Sequence, residues 1–234
     1  MRYVDIRKKS PIGGFGERCI ADFLGMLVSP FFSMFFIEKK VRPNFITILM
    51  ILFGVLGAIF FSLPYIIPKI LGITFFYLWY IMDCSDGEVA RFTKQFSKYG
   101  KELDYMAHLI CHPLMNLSLW LSYTQLNRYN IFYVSLIFIV FISLELIIRN
   151  YISFDTYLNK AIDNNTKHKN TNLFRYIIVQ FCIYPNFILF FPIFYLLDFF
   201  LNFNSLIILF LFLFLFLLSV IRGTYLNLRK FYYS

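Results

Sequence analysis

Charge is scarce in this chain. Only 15% of its 234 residues are Asp, Glu, Lys or Arg, against roughly 25% in a soluble domain. Cysteine is sparse and unpatterned. Cys19, Cys84, Cys111 and Cys182 lie far apart with no C-x-x-C spacing, which argues for neither a zinc site nor a disulfide framework. They read as reduced thiols in apolar helices, with Cys19, beside Arg18, as a candidate for acylation. No secretory leader is expected, because the basic start through Arg7-Lys8-Lys9 is not followed by a short apolar stretch with a cleavage site. There is no internal repeat. What the chain has instead is apolar and aromatic surface: 59% hydrophobic residues, with 32 Phe and 17 Tyr. That is far more than one water-soluble core of this size can bury. A soluble enzyme, a disordered chain and a disulfide scaffold are all excluded, and the length suits one membrane domain. Yet the net charge is +9, which is odd for a chain so poor in charge.

A spanning helix needs about 20 mostly apolar residues. Six stretches qualify: Asn44–Leu63, Ile67–Met82 continuing to Asp86, Leu103–Leu126, Ile131–Ile148, Phe174–Leu197 and Ser205–Ile221. With alternating crossings, the Lys and Arg residues sort themselves. Only Lys69 and Arg128 fall on one side, and the other 20 of the 22 fall on the opposite side. The positive-inside rule then puts both termini in the cytoplasm. Cys19–Ile37 is apolar with a single charge, Asp22, and is interrupted by Pro30. Taken as a span it would put the basic clusters Arg7–Lys9 and Lys39–Arg42 on opposite sides, so an interfacial helix at the headgroup level is preferred. The polar loop Asp155–Asn172 carries a glycosylation pattern at Asn164-Asn165-Thr166, which on the cytoplasmic face stays unmodified. The run Leu209–Leu218 alternates Leu and Phe like a strand, but an open strand cannot satisfy its backbone in lipid, so it reads as helix. The expected fold is all-α: a polytopic integral membrane protein of six transmembrane helices preceded by an interfacial amphipathic helix. Its expected parts are a cytoplasmic N-terminus with that helix (1–42), a six-helix membrane domain (43–222) and a cytoplasmic tail (223–234).

Acidic residues are expensive in so apolar a chain, so their placement is informative. Five of the 13 fall between positions 83 and 104: Asp83, Asp86, Glu88, Glu102 and Asp104. Asp83, Asp86, Gly87, Ala90 and Arg91 follow helical spacing and share one face at the end of the second span. Gly100, Asp104 and His108 share a face at the start of the third. Joined by a short basic turn, the two faces can meet as an antiparallel pair. Clustered carboxylates repel one another unless protons or cations intervene, and hard oxygen ligands suit Mg²⁺, Mn²⁺ or Ca²⁺. Gly87 and Gly100 leave room for a ligand to approach the backbone, and Arg91 offers a fixed fork for phosphate. Carboxylates for metal, an arginine and small residues describe a pyrophosphate site. The bland alternative is an ordinary helix end whose acids pair with Lys94, Lys98 and Lys101. It accounts for any one residue but not for all seven at these spacings.

These residues resemble the motif of the CDP-alcohol phosphotransferase (CDP-alcohol phosphatidyltransferase) family, D-x2-D-G-x2-A-R-x8-G-x3-D-x3-D. Asp83, Asp86, Gly87, Ala90, Arg91, Gly100 and Asp104 match it without insertion, and Pro43-Asn44-Phe-Ile-Thr47 is similar to the family's P-N-x-x-T opening of the first span. The resemblance implies a membrane enzyme that moves a phospho-alcohol group from a CDP-linked donor to a hydroxyl acceptor and releases CMP. It implies two divalent metals, Mg²⁺ or Mn²⁺, held by Asp83, Asp86 and Asp104. It also implies nucleotide contacts at Gly87, Ala90, Arg91 and Gly100, with Asn44 and Thr47 lining that site. A homodimer is implied by resemblance alone. The donor and acceptor stay open: the product is a phospholipid, or a headgroup is moved to a lipid, polyol or lipid-linked glycan. The alternative is a catalytically inactive CDP-lipid-binding or scaffold homologue. A transporter would need polar residues at mid-membrane, and here they gather at one edge.

The eighth motif position is the departure, with His108 where the family has Asp. His108 is the general base, since an imidazole pKa of about 6.5 suits neutral pH better than about 3.9 for Asp, or a nitrogen ligand to the metal. Otherwise it marks lost turnover, or one metal site is lost and the other suffices. Active catalysis with His108 as base, beside Asp104, is the expectation. His112, one turn on, is expected to hydrogen-bond a neighbouring helix, and His168 in the polar loop needs no role. Glu145 and Arg149 are read as an i,i+4 ion pair, with binding of an acidic headgroup by Arg149, Arg175 or Arg222 as the alternative. Asp198 and Lys69 are read as loop-solvating charges, and Trp79 and Trp120 as interfacial belt residues. The net charge is then a topology signal with an acidic site set inside it. No nucleic-acid partner is expected.

Overall fold

The computed structural model describes residues 2–11, 19–158, 180, 183–201 and 203–233. Most of the polar loop, with its Asn164 pattern and His168, lies outside the described residues, as do Arg18, Arg175 and Cys182. Eight helices and no strand are found among the described residues: α1 (Tyr3–Lys9), α2 (Ile20–Glu38), α3 (Pro43–Ser62), α4 (Ile66–Thr93), α5 (Gly100–Gln125), α6 (Ile131–Leu158), α7 (Tyr184–Leu201) and α8 (Leu206–Tyr233).

Local chemistry sets several boundaries. Pro43 opens α3 at its first position, where a missing N–H costs nothing. Lys94, with a left-handed φ of 58°, stops α4. No such stop follows Ile148, and α6 continues to Leu158, into the stretch read as polar loop.

α3 to α8 run antiparallel in sequence through the bundle. Contacts between α3 and α5 run from Asn44–Ser97 just before α5 to Ser62–Gln125 at its far end. Two glycines allow α3 and α4 to close up. A methyl group on Gly72 would lie 2.6 Å from the backbone nitrogen of Phe61, and one on Gly57 would lie 2.6 Å from the Phe76 ring. Small residues at such crossings are how helices associate in lipid, where burial of apolar surface drives nothing. α6, α7 and α8 pack instead through rings: Phe141 and Phe187 lie 4.4 Å apart, Phe187 and Phe212 5.0 Å, Phe141 and Phe216 5.1 Å. The Leu/Phe run is helical as expected. Phe212 and Phe216, four apart, are buried, while Phe210 and Phe214 face outward. Large apolar side chains cover the outside of the bundle, among them Ile48, Leu52, Ile59, Ile139 and Phe214. A surface of that kind belongs in lipid. The chain is an integral, multi-pass membrane protein.

Among the described residues, six helices are long and apolar enough to cross a membrane: α2, α3, α4, α6, α7 and α8. α5 is not among them, because its inner face carries the buried polar residues His112, Asn116, Ser118 and Ser122, yet it runs from one end of the bundle to the other. α2 is among them. Its first residues donate to Gln180 and to Asn186 at the start of α7. It packs on α4 from Tyr80, midway along that helix, to Glu88, and its last residue lies five before the start of α3. The crossings expected are α3 to α8, and by length and composition α2 qualifies where α5 does not.

Several expectations fail in the same direction. Lys69 is 1% exposed and donates to the Phe61 carbonyl at 3.0 Å, Ser122 Oγ at 2.8 Å and Gln125 Oε1 at 3.1 Å. Asp198 is fully buried and accepts from Arg128, Tyr129 and Ser205. Neither solvates a loop: each offsets its desolvation with partners. Trp79 is fully buried in the core, not at an interface. Cys19, the acylation candidate, is buried, with its sulfur accepting from the Asp22 N–H at 3.2 Å.

Candidate functional site

The site grows from the α4–α5 turn. α4 is one continuous helix through the motif, so Asp83, Asp86, Gly87, Ala90 and Arg91 keep the spacing that puts them on one face. Ser97 Oγ in the turn donates to Asn44 Oδ1 at 3.0 Å, tying the turn to the start of α3. One turn into α3, Thr47 Oγ1 donates to Asp86 Oδ2 at 2.7 Å. The P-N-x-x-T residues thus join the motif directly.

A cavity of about 520 Å³ opens between these elements. Its lining includes Asn44, Thr47, Asp86, Gly87, Ala90, Arg91, Gly100 and Asp104, together with Lys98 and Lys101 from the basic turn. All six residues expected to contact the nucleotide are there, with two of the carboxylates. Side chains at the two glycines would narrow it: a methyl on Gly87 would lie 3.0 Å from the Arg91 guanidinium, and one on Gly100 2.8 Å from Ser97 Oγ.

Asp83 and His108 are set behind this lining. His108 Nε2 lies 3.2 Å from Asp83 Oδ1 and 3.4 Å from Asp104 Oδ1. One ligand atom from each of the three falls within 4.8 Å of the others. Asp86 does not join this trio. The four expected ligands therefore separate into a cluster of three and a fourth, Asp86, held by Thr47 in the cavity wall. Asp104 bridges the two: 46% of its side-chain surface is exposed, yet its Oδ1 is buried and has no hydrogen-bond partner. A buried, unpartnered carboxylate oxygen beside a second carboxylate and an imidazole fits a divalent cation.

Behind His108 the polar chain continues. His108 Nδ1 lies 3.0 Å from His112 Nε2, and His112 Nδ1 lies 2.7 Å from Glu145 Oε1 on α6. Arg149 Nε donates to the same Glu145 oxygen at 3.3 Å. The expected Glu145–Arg149 pair exists, and His112 does reach a neighbouring helix. Trp79 stands edge-on to both imidazoles.

α1 docks beside the motif through contacts that residue spacing does not point to. Glu88, fully buried, accepts from Ser29 Oγ at 2.6 Å and Ser33 Oγ at 2.7 Å, with Arg7 Nη2 2.8 Å away. Lys9 donates to the Phe92 carbonyl. Ser10, just past α1, accepts from Arg91 Nε at 2.7 Å. The one available signal was Glu88 itself, a carboxylate inside the motif that no motif position uses.

Fold and site together define a polytopic helical membrane protein with an acid- and arginine-lined cavity at one end. The family model for CDP-alcohol phosphatidyltransferase matches residues 40–213, and the chain belongs to that family. Its members transfer a phospho-alcohol group from a CDP-alcohol to an alcohol acceptor in the membrane, and depend on metal. A search of curated proteins finds no match to the chain.

Proposed function

We propose that the chain is an active, metal-dependent transferase that releases CMP from a CDP-linked alcohol, with its site and both termini in the cytoplasm and α2 lying at the membrane interface. The 20 basic residues assigned to one face support the orientation. The observation that carries the activity is the convergence of Asp83, Asp104 and His108, one carboxylate oxygen buried and unpartnered, beside a cavity walled by the rest of the motif.

Arg91, Lys98 and Lys101 bring positive charge to the pyrophosphate, and Gly87, Ala90 and Gly100 let it approach the helix backbones. Asp83, Asp104 and His108 would hold one divalent ion, and Asp86, oriented by Thr47, a second. Bound there, Mg²⁺ or Mn²⁺ supplies the charge that offsets the pyrophosphate and the departing CMP. The acceptor hydroxyl oxygen attacks the alcohol-bearing phosphorus, the bond from that phosphorus to the CMP oxygen breaks, and the hydroxyl proton passes to a base. Two observations favour Asp104 over His108 as that base. Asp104 lines the cavity, whereas His108 stands behind it with only 13% of its side chain exposed and Nε2 turned to two carboxylates. His108 is then the nitrogen ligand, a choice that favours Mn²⁺ over Mg²⁺. The acceptor is a lipid, polyol or lipid-linked glycan hydroxyl, and the working unit is a homodimer.

The test is CMP release by the purified full chain, supplied with CDP-diacylglycerol or soluble CDP-alcohols, candidate acceptors and Mn²⁺ or Mg²⁺. Release that requires both metal and acceptor is expected. CDP-compound binding without release under any pairing would replace this reading with an inactive CDP-lipid-binding or scaffold homologue.

A further inference from the structure

His108 differs from the aspartate it replaces in one chemical respect: an imidazole has two distinct nitrogens, and only a bare one can bind a cation. We propose that His112, Glu145 and Arg149 are positioning residues that hold the hydrogen of His108 on Nδ1 and so keep a bare Nε2 facing Asp83 and Asp104. The inference rests on the metal-dependent reading above and concerns residues outside the family motif.

The hydrogen positions follow from the donors available. Arginine has five N–H donors and no acceptor. Arg149 Nη2 lies 3.3 Å from His112 Nε2, so that nitrogen presents a lone pair. The hydrogen of His112 is then on Nδ1, where Glu145 Oε1 accepts it at 2.7 Å. His108 Nδ1 faces the same bare His112 Nε2 at 3.0 Å. Two lone pairs cannot face each other at that distance, so His108 Nδ1 carries hydrogen and donates. When the ring is neutral, as it must be to bind a metal ion, Nε2 is the bare nitrogen, 3.2 Å from Asp83 Oδ1 and 3.4 Å from Asp104 Oδ1. Three lone-pair donors then converge there, an arrangement that repels itself until a proton or a metal ion enters.

The rings have little freedom to turn. His112 is fully buried and Glu145 is 2% exposed. Tyr184 stacks on His112 with centroids 3.8 Å apart and donates its hydroxyl to the His112 carbonyl. His108 and His112 are four apart on α5, and Glu145 and Arg149 four apart on α6, so two helical repeats meet as one ladder. An aspartate at position 108 would need none of this, because both of its oxygens accept. The ladder is therefore the feature that should accompany histidine at this position, acting as outer partners do for metal-bound imidazoles.

The experiment uses Mn²⁺ alone as probe on the full-length chain in nanodiscs at one fixed pH. Pulsed EPR of wild type should show nitrogen coupling to bound Mn²⁺ that disappears in His108→Asp. Absence of that coupling in wild type, as a His108 imidazolium would give, overturns the inference. His112→Phe should weaken Mn²⁺ binding roughly ten- to hundredfold in wild type, and leave it unchanged in the His108→Asp background. An equal loss in both backgrounds means a merely structural role and overturns it. Glu145→Gln, which keeps the volume and an acceptor oxygen for His112 Nδ1, should stay within about threefold of wild type; a hundredfold loss would show that charge and not hydrogen placement matters, and would also overturn it. The two readings fail separately. Nitrogen-coupled Mn²⁺ without CMP release sinks the function, whereas CMP release with background-independent losses sinks the ladder.

Discussion

Charge is buried at both ends of the bundle, but only at the motif end is part of it left unmatched. At the end away from the motif, Lys69 and Asp198 are each surrounded by partners that match them: three acceptors on the ammonium, and donors from Arg128, Tyr129 and Ser205 on the carboxylate. At the motif end two expected carboxylates line a cavity, a third and an imidazole stand behind it, and one carboxylate oxygen is buried with no hydrogen-bond partner. Charge that stabilises a fold is matched within the chain, and charge that serves a ligand is left unmatched. The opposite end should therefore tolerate loss of function chemistry and punish loss of a partner, and the motif end should do the converse.

Asp104→Asn gives the largest expected effect. It removes the base and a cation ligand together, and CMP release should fall by at least about a thousandfold. The side chain is half-exposed, so thermal stability in detergent should move by no more than about 0.5 kcal/mol. Asp198→Ala is its counterpart. It removes the buried acceptor shared by the Arg128 guanidinium, the Tyr129 hydroxyl and the Ser205 hydroxyl, and should cost about 3 kcal/mol, read as a fall in Tm. CMP release per folded molecule should stay as in wild type. If Asp198→Ala lost activity while keeping its Tm, the separation of the two ends would be broken.

Lys69→Met sharpens the contrast at a smaller scale. The apolar stem keeps its volume between Phe61 and Tyr195, over whose rings the ammonium sits at 5.2 and 5.1 Å. What is lost is one donor to three acceptors, a penalty of about 1–3 kcal/mol. Metal affinity, measured by Mn²⁺ titration, should not change. A Lys69 variant with weakened Mn²⁺ binding would show that the ends communicate.

How much of this was legible in the sequence depends on whether a residue's partners are close in the chain. The motif face was readable because α4 carries Asp83 to Arg91 on a continuous helix, where spacing alone fixes direction. The α4–α5 pairing was readable because six residues join the two faces. Lys69, Asp198 and Trp79 were misread because hydropathy puts a charge at the nearest edge and a tryptophan at an interface. Their true partners, Ser122, Ser205 and His112, are 53, 7 and 33 residues away and carry no spacing signal. α2 is the instructive case. Its composition is enough to cross, and only the charge on either side of it, not its own hydropathy, argues for a place at the interface. The dock of α1 on Glu88 and Arg91 had no local pattern to betray it.

That dock supplies the smallest effect. Ser10→Ala removes the acceptor of Arg91 Nε, while the contacts of Arg7 with Glu88 and of Lys9 with the Phe92 carbonyl keep α1 in place. The guanidinium stays at the cavity wall but loses the contact that fixes its fork. A fork less well aimed binds the ground state and the transition state of the donor less tightly by the same amount, so KM for the CDP-linked donor should rise about threefold with kcat unchanged. Should kcat fall instead while KM holds, Arg91 would be acting on the departing phosphate alone, and α1 would belong to the chemistry of the motif end as well as to its support.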